Sequence, residues 1–230
     1  MAILKLYSMK AATCMRRMVT ILHELKVPFE FIEVDFQNGE HKTPAYMEKQ
    51  PFGQIPYIDD NSLILYKTCA ICRYIAAKHP SLGLIPLEPK ANTLFKQAVV
   101  VESTNFDPSA SKAGLQLFLR KLGWVEGDQT VIGAQLEILD KKIDVYNVIL
   151  GKQCYVAGET FTLADLFDIP YTPLVASGGS DIMTQWPNVT RWYNKLVARC
   201  GWHMREEGYR QRRRTEMQTS RPKAGGVKLV

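Results

Sequence analysis

The order of apolar segments in the first 80 residues constrains the fold of this chain more than any other feature. Residues 3–7 (ILKLY) form a short apolar run of strand length. Met15, Met18, Val19, Leu22 and Leu25 then recur at three-to-four spacing, the period of one helix face. Val27-Pro28 ends that helix, because proline has no amide hydrogen to continue the ladder. Residues 29–34 follow, apolar on both faces as a central strand would be. Strand, helix and strand in that order predict a parallel pair joined by a right-handed crossover. Gly39-Glu40-His41-Lys42 reads as a polar loop and 46–49 as a short helix. Residues 53–58 and 62–66 flank Asp59-Asp60-Asn61, which is a hairpin signal. A helix over 67–78 stops at His79-Pro80. The order is therefore β-α-β followed by α-β-β-α.

The remainder divides by composition. Residues 81–89, with Gly83, Pro86 and Pro89, read as a linker between a first domain at 1–80 and an all-helical domain at 90–208. Ile132, Leu136, Leu139, Ile143, Tyr146 and Leu150 make a stripe wide enough to pack in a helical bundle. Thr162-Leu163-Ala164-Asp165 has the spacing of a capping box, with Phe161 placed to staple onto Leu166. From 209 to 230 the chain turns polar and arginine-rich, a mobile tail. That tail carries seven basic residues against Glu216 from Arg210 onward, which accounts for the whole net charge of +6. The body is neutral and has no electrostatic case for nucleic acid; the tail is either a solvated terminus or a contact for an anionic surface. Five scattered cysteines suit no disulfide scaffold. No apolar run reaches the ~18 residues of a membrane span, and the N-terminus lacks a signal-peptide core. A cytoplasmic protein is expected, with no membrane association and no metal site.

Three stretches together resemble the glutathione transferase family, most closely its phi-like fungal and plant members. They are 39–42 with Pro51-Phe52-Gly53-Gln54-Ile55-Pro56; Val101-Glu102-Ser103-Thr104-Asn105-Phe106-Asp107-Pro108; and the segment 155–166 ending in the capping box. The resemblance runs from about residue 3 to 208. It implies an α/β thioredoxin-like N-terminal domain, an all-α C-terminal domain, a homodimer, and glutathione as co-substrate. It also implies a cis bond before Pro56, letting Ile55 pair with the cysteinyl part of glutathione as an added strand would.

Glutathione brings two carboxylates, one ammonium and a thiol whose free pKa is near 8.5. By resemblance His41 and Lys42 lie near its glycyl carboxylate, while Gln54, Ile55 and Pro56 hold its backbone. At the γ-glutamyl end the family has Glu-Ser; here Lys67-Thr68 stands in its place, so a charge is inverted. Thr68 retains a hydroxyl and an amide at a helix start, where carboxylates are favoured. Ala12 occupies the place of the family's catalytic serine, leaving Thr13 as the substitute donor to the thiolate. Cys14 is expected to point elsewhere. Cys69-Ala70-Ile71-Cys72 matches a redox motif but lies in the third helix, where inert packing is the expectation. The walls for a hydrophobic small molecule are expected from Met9, Lys10, Phe106, Leu115, Phe118, Pro170 and Leu174.

The resemblance thus implies an enzyme joining glutathione to hydrophobic electrophiles, or reducing peroxides with it. Two other readings compete: a fold retained as a carrier of aromatic ligands, fed by Ala12 and Lys67, and a regulatory or scaffold module acting through surface and tail.

Overall fold

The computed structural model describes residues 3–10, 12–121, 126, 128–172, 175 and 180–199. The 209–230 tail and Leu174 lie outside the described residues, as does the side chain of Phe118.

Strand β1 (Leu4–Ser8) buries Leu4, Leu6 and Ser8 on one face and lies in the sheet interior. It pairs in parallel with β2 (Phe29–Glu33), Leu6 opposite Phe31, through the helix α1 (Thr13–Glu24). It pairs antiparallel with β3 (Tyr57–Asp60), which continues into β4 (Leu63–Tyr66). The order β2-β1-β3-β4 makes β2 an edge strand and not the central one expected. Glu30 and Glu33 are exposed, charges of the kind that blunt a sheet edge, and Phe29, Phe31 and Ile32 are only half-buried. The hairpin turn falls on Asn61 and Ser62, both at positive φ (55° and 71°), the pattern that matches the twist of paired strands.

The short helix begins earlier than its apolar residues suggest, as α2 (Pro44–Met47). Pro44 supplies a pre-set φ at the first helical position, and the Thr43 hydroxyl accepts from Tyr46 N. Helix α3 (Thr68–Ala77) covers the same face of the sheet as α1. Leu6, Met18, Ile21, Leu22, Ile58, Ile71 and Ile75 form the core between them.

Helix α4 (Pro89–Val101) starts under Glu88, whose carboxylate accepts the amides of Lys90 and Ala91 at 2.9 and 2.7 Å. It runs through a π-turn (Glu102–Phe106) into α5 (Asp107–Lys121). The widened turn immediately precedes Pro108, whose missing amide and ring clash an ordinary α-turn accommodates poorly. Helix α6 (Gln129–Leu150) buries Ile132, Leu139, Ile143, Tyr146 and Leu150, the stripe read from its spacing. Helices α7 (Leu163–Phe167) and α8 (Pro187–Ala198) close the bundle.

The capping box forms as read, and its carboxylate does more than cap. Asp165 is fully buried and accepts Thr162 N at 2.8 Å, Val156 N at 3.0 Å and Trp192 Nε1 at 2.9 Å. One side chain thus joins the 153–158 loop, α7 and α8. The Phe161 ring, expected to staple onto Leu166, meets Tyr155 edge-on at 5.8 Å and lies under the Arg199 guanidinium at 3.8 Å.

Replacing Asp165 with Ala removes a cap worth about 1 kcal/mol and leaves two buried donors unpaired at about 1–3 kcal/mol each. Urea unfolding is expected to show a loss of roughly 3 kcal/mol or more; a loss within about 0.5 kcal/mol, as for an ordinary surface substitution, would contradict this role.

Candidate functional site

A cavity of about 250 Å³ opens where the sheet domain meets the helices. It is lined from the first domain by the start of α1 (Thr13, Cys14, Arg17), the loop around Gln50, Gln54, Ile55 and Pro56, and the start of α3 (Lys67, Thr68, Cys69). Asp107, Pro170 and Tyr171 complete it from the helical side.

The loop has its shape for local reasons. The Ile55–Pro56 peptide is cis, as the resemblance implies. Gly53 has a φ of 55°, and a Cβ there would lie 2.9 Å from both the His41 carbonyl and the Lys42 side chain. Only glycine fits that approach. Lys42 Nζ donates to the Gly53 carbonyl at 2.8 Å, and Tyr46 Oη to the Gln54 carbonyl at 2.9 Å. Buried Gln50 accepts Phe52 N at 2.7 Å.

Two helix N-termini face this loop. Thr13 is the first residue of α1, after an extended Ala12 that has no side-chain oxygen for capping. Cys14, expected to point away, instead lines the cavity, its Sγ–H directed at the Ile55 carbonyl at 3.6 Å. It falls one turn before Met18 on the stripe that α1 turns inward, so burial of Met18 brings the thiol in with it. Burial pushes that thiol up to about 11, against the smaller opposing pulls of the first-turn amides and Arg17. It is held as S–H.

At the other helix start, Lys67 precedes α3 at a φ of 67°, a region that non-glycine residues adopt uncommonly. Its carbonyl accepts Ala70 N and Ile71 N. Its Nζ donates to Gln54 Oε1 at 2.9 Å and sits 4.7 Å from the Phe52 ring centroid. Cys69, expected to be inert packing, lines the cavity and receives Arg17 Nη1 at 3.4 Å; Cys72 is buried against Met18.

Arg17 is the feature that sequence reasoning missed. It is 6% exposed, with Nη2 at 2.8 Å from Glu102, 3.5 Å from Asp107 and 2.6 Å from the Phe167 carbonyl. Its guanidinium also lies over the Phe167 and Tyr171 rings. Arg17 therefore binds α1 to the π-turn, α5 and α7 at the floor of the cavity. Burial raises the Glu102 carboxyl while Arg17 pulls it back.

Of the residues expected at the site, Thr13, Gln54, Ile55, Pro56, Lys67, Thr68 and Pro170 come together here. Others do not line this cavity. His41 stacks on Phe36 at 3.9 Å on the outer side of the loop, and burial lowers its imidazole below the ordinary value. Lys42 is fastened to Gly53. Lys10 pairs with Glu33 at 3.1 Å, and Met9 packs against the core. Phe106 is 2% exposed, turned by the π-turn into the bundle beside Tyr146, while Leu115 lies on the outer face of α5. Tyr171 and Asp107 take the wall positions assigned to them. Among the described residues no cluster of metal ligands occurs, and no helix is long and apolar enough to cross a membrane.

Comparisons with known proteins agree with this geometry. Residues 2–77 match the family "Glutathione S-transferase, N-terminal domain", and 106–199 match its C-terminal domain. The Arabidopsis thaliana protein named Glutathione S-transferase PM239X14 is 38% identical over 84% of this chain and 91% of its own length. The crystal structure of glutathione transferase F2 from Populus trichocarpa superposes with a TM-score of 0.84 at 34% identity, covering 90% of this chain and 99% of that one. A maize glutathione S-transferase I, solved in complex with an atrazine glutathione conjugate, has a TM-score of 0.76 at 26% identity over 96% of this chain and all of that one. The chain belongs to the glutathione S-transferase family. Within it, this protein stands with the phi-like, F-type members.

The buried cluster has a pH signature. Burial, with the charge of Glu102 beside it, raises the Asp168 carboxyl well above the ordinary carboxylate range. The folded state therefore keeps this proton to higher pH than the unfolded chain, whose aspartate titrates near 3.9. Stability falls as pH rises through that window. Asp168→Asn keeps an acceptor for Tyr146 Oη and removes the titration. The variant is expected to exceed the wild type in urea midpoint at pH 7, with the advantage shrinking toward pH 4. An unchanged or lower midpoint at pH 7 would overturn this.

Proposed function

We propose that the cavity binds glutathione and that the protein joins its sulfur to electrophilic carbon in hydrophobic small molecules. The observation that carries this reading is the convergence of the Ile55–Pro56 backbone with two helix N-termini on one cavity. The donor set fits the ligand. The Ile55 carbonyl accepts only a weak donor in Cys14 S–H, which an amide of the cysteinyl residue displaces. Thr68 and the first amides of α3 suit a carboxylate. Gln54 holds the peptide's flank, and Pro170 and Tyr171 offer an apolar wall to the second substrate. Lys42, outside the cavity, assists at the glycyl end by charge at a distance, with His41 beside it as a neutral imidazole.

The chemistry asked of the protein is modest. The glutathione thiol loses its proton to solvent, and the sulfur is held as thiolate by the amides at the start of α1 and by the Thr13 hydroxyl. It then forms a carbon–sulfur bond as the electrophile's leaving group departs with the bonding electron pair. A retained hydroxyl donor and relatives named as transferases favour this enzyme over a carrier of aromatic ligands.

The protein acts in the cytoplasm as a homodimer on this reading. Phe52 is 59% exposed at the tip of the loop, its ring flanked by Lys67 Nζ at 4.7 Å and by Tyr66 edge-on at 6.0 Å yet still more than half open. A second cavity, about 180 Å³, lies between α4 and α6, lined by Leu94, Ala98, Val101, Tyr146, Ile149 and Val156. Two copies about a two-fold axis satisfy both features by exchanging rings.

Two measurements test these points. Thr13→Ala is expected to lower kcat about 10²–10³-fold, the usual loss for one donor to a developing anion, with KM for glutathione little changed and Thr13→Ser restoring the rate. Retained kcat in Thr13→Ala would remove Thr13 from the mechanism. Phe52→Ala is expected to shift the mass in light scattering from dimer to monomer; a monomeric wild type would reject the dimer.

A further inference from the structure

We propose that Lys67 changes which thiol this cavity prefers, selecting an acyl-cysteinylglycine whose far end carries a carboxylate but no ammonium. The proposal rests on the reading above, in which the γ-glutamyl end of glutathione meets the start of α3. At that end the structure gathers positive potential from two sources. Lys67 Nζ stands 2.9 Å from Gln54 Oε1 on the cavity rim, and the first turn of the ten-residue helix α3 presents the amides that follow Lys67. Thr68 adds a hydroxyl at the first helical position.

Among the described residues that line the cavity the single carboxylate is Asp107, which Arg17 holds at 3.5 Å. Glu102, the next acid inward, is buried and paired with the same guanidinium at 2.8 Å. A carboxylate entering beside Thr68 therefore gains from Lys67 and the helix start together. An ammonium on the adjacent carbon meets Lys67 as a like charge a few ångströms away, and no free acid answers it within the cavity. The Phe52 ring and the Gln54 amide hold the exposed lysine on the cavity rim. Glutathione satisfies half of this end, and its counterpart with the amino group replaced by hydrogen, glutaryl-cysteinylglycine, satisfies all of it.

The test is calorimetric titration of both thiols into the full chain, as wild type, Lys67→Glu and Lys67→Gln. Wild type is expected to bind glutaryl-cysteinylglycine about tenfold more tightly than glutathione, equivalent to about 1.4 kcal/mol. Lys67→Glu is expected to reverse the order, and Lys67→Gln to bring the two together. If wild type prefers glutathione and the ratio is unchanged in Lys67→Gln, the role of Lys67 is overturned while the glutathione reading stands. If the folded wild type binds neither thiol, the glutathione reading fails and this inference with it.

Discussion

The guanidinium of Arg17 is a buried cation shared by both halves of the molecule at their junction. It reaches from α1 to Glu102 and Asp107 on the long helical element and to the Phe167 carbonyl at the end of α7. A buried ion pair adds little net stability over well-packed apolar groups, because removing two charges from water costs about as much as their attraction returns. What it adds is geometry. Glu102 can be buried as a carboxylate only beside a cation, and the π-turn that carries it places Asp107 and Phe106 on opposite sides, one on the cavity and one in the core. The cavity floor, the helix start bearing Thr13 and the wall bearing Tyr171 are thereby set relative to one another by a single side chain.

The first domain was legible because each of its elements carries its own local signal. Proline at 28 and 80, glycine at 39 and 53, and the Asp-Asp-Asn turn mark boundaries that physics enforces residue by residue. The position of β2 was not, since FEFIE pairs equally well on one side or two; exposure of Glu30 and Glu33 only acquires meaning once β1 is known to be central. The helical domain was legible as a stripe on α6 and a capping box on α7, though the extra reach of Asp165 to Val156 and Trp192 depends on contacts 9 and 27 residues away.

The site was legible where backbone chemistry defines it and obscure where side chains fold inward. Gln54, Ile55, Pro56 and Thr68 were named by the resemblance, and the structure brings them to one cavity. Arg17 and Cys14 were passed over for a common reason. Arg17 lies on the stripe 17, 18, 21, 22, 25 that α1 buries and Cys14 stands half-buried one turn before it, yet a charged residue and a small thiol do not register in an apolar count. A cation on a buried stripe is itself a signal: it requires a buried acid elsewhere, and Glu102 lies in the second of the stretches that resemble the family. The wall residues failed differently. Phe106 and Leu115 share α5 and its approach, but the π-turn rotates that approach, a change that no period of 3.6 anticipates.

Cys14 bears on which sulfur reacts. It sits in the cavity against the Ile55 carbonyl, the position of a second thiol that could compete to be the thiolate. Its enclosure argues otherwise. Burial lifts its thiol to about 11, whereas an ordinary cysteine thiol ionises near 8.5. When two thiols share one site, the proton stays with the weaker acid. On the proposed reading, glutathione's sulfur is then the one that ionises, and Cys14 remains S–H beside it. The replacement of serine by Ala12 therefore leaves the reacting group with the ligand, and the protein's part is reduced to holding an anion that it does not itself supply.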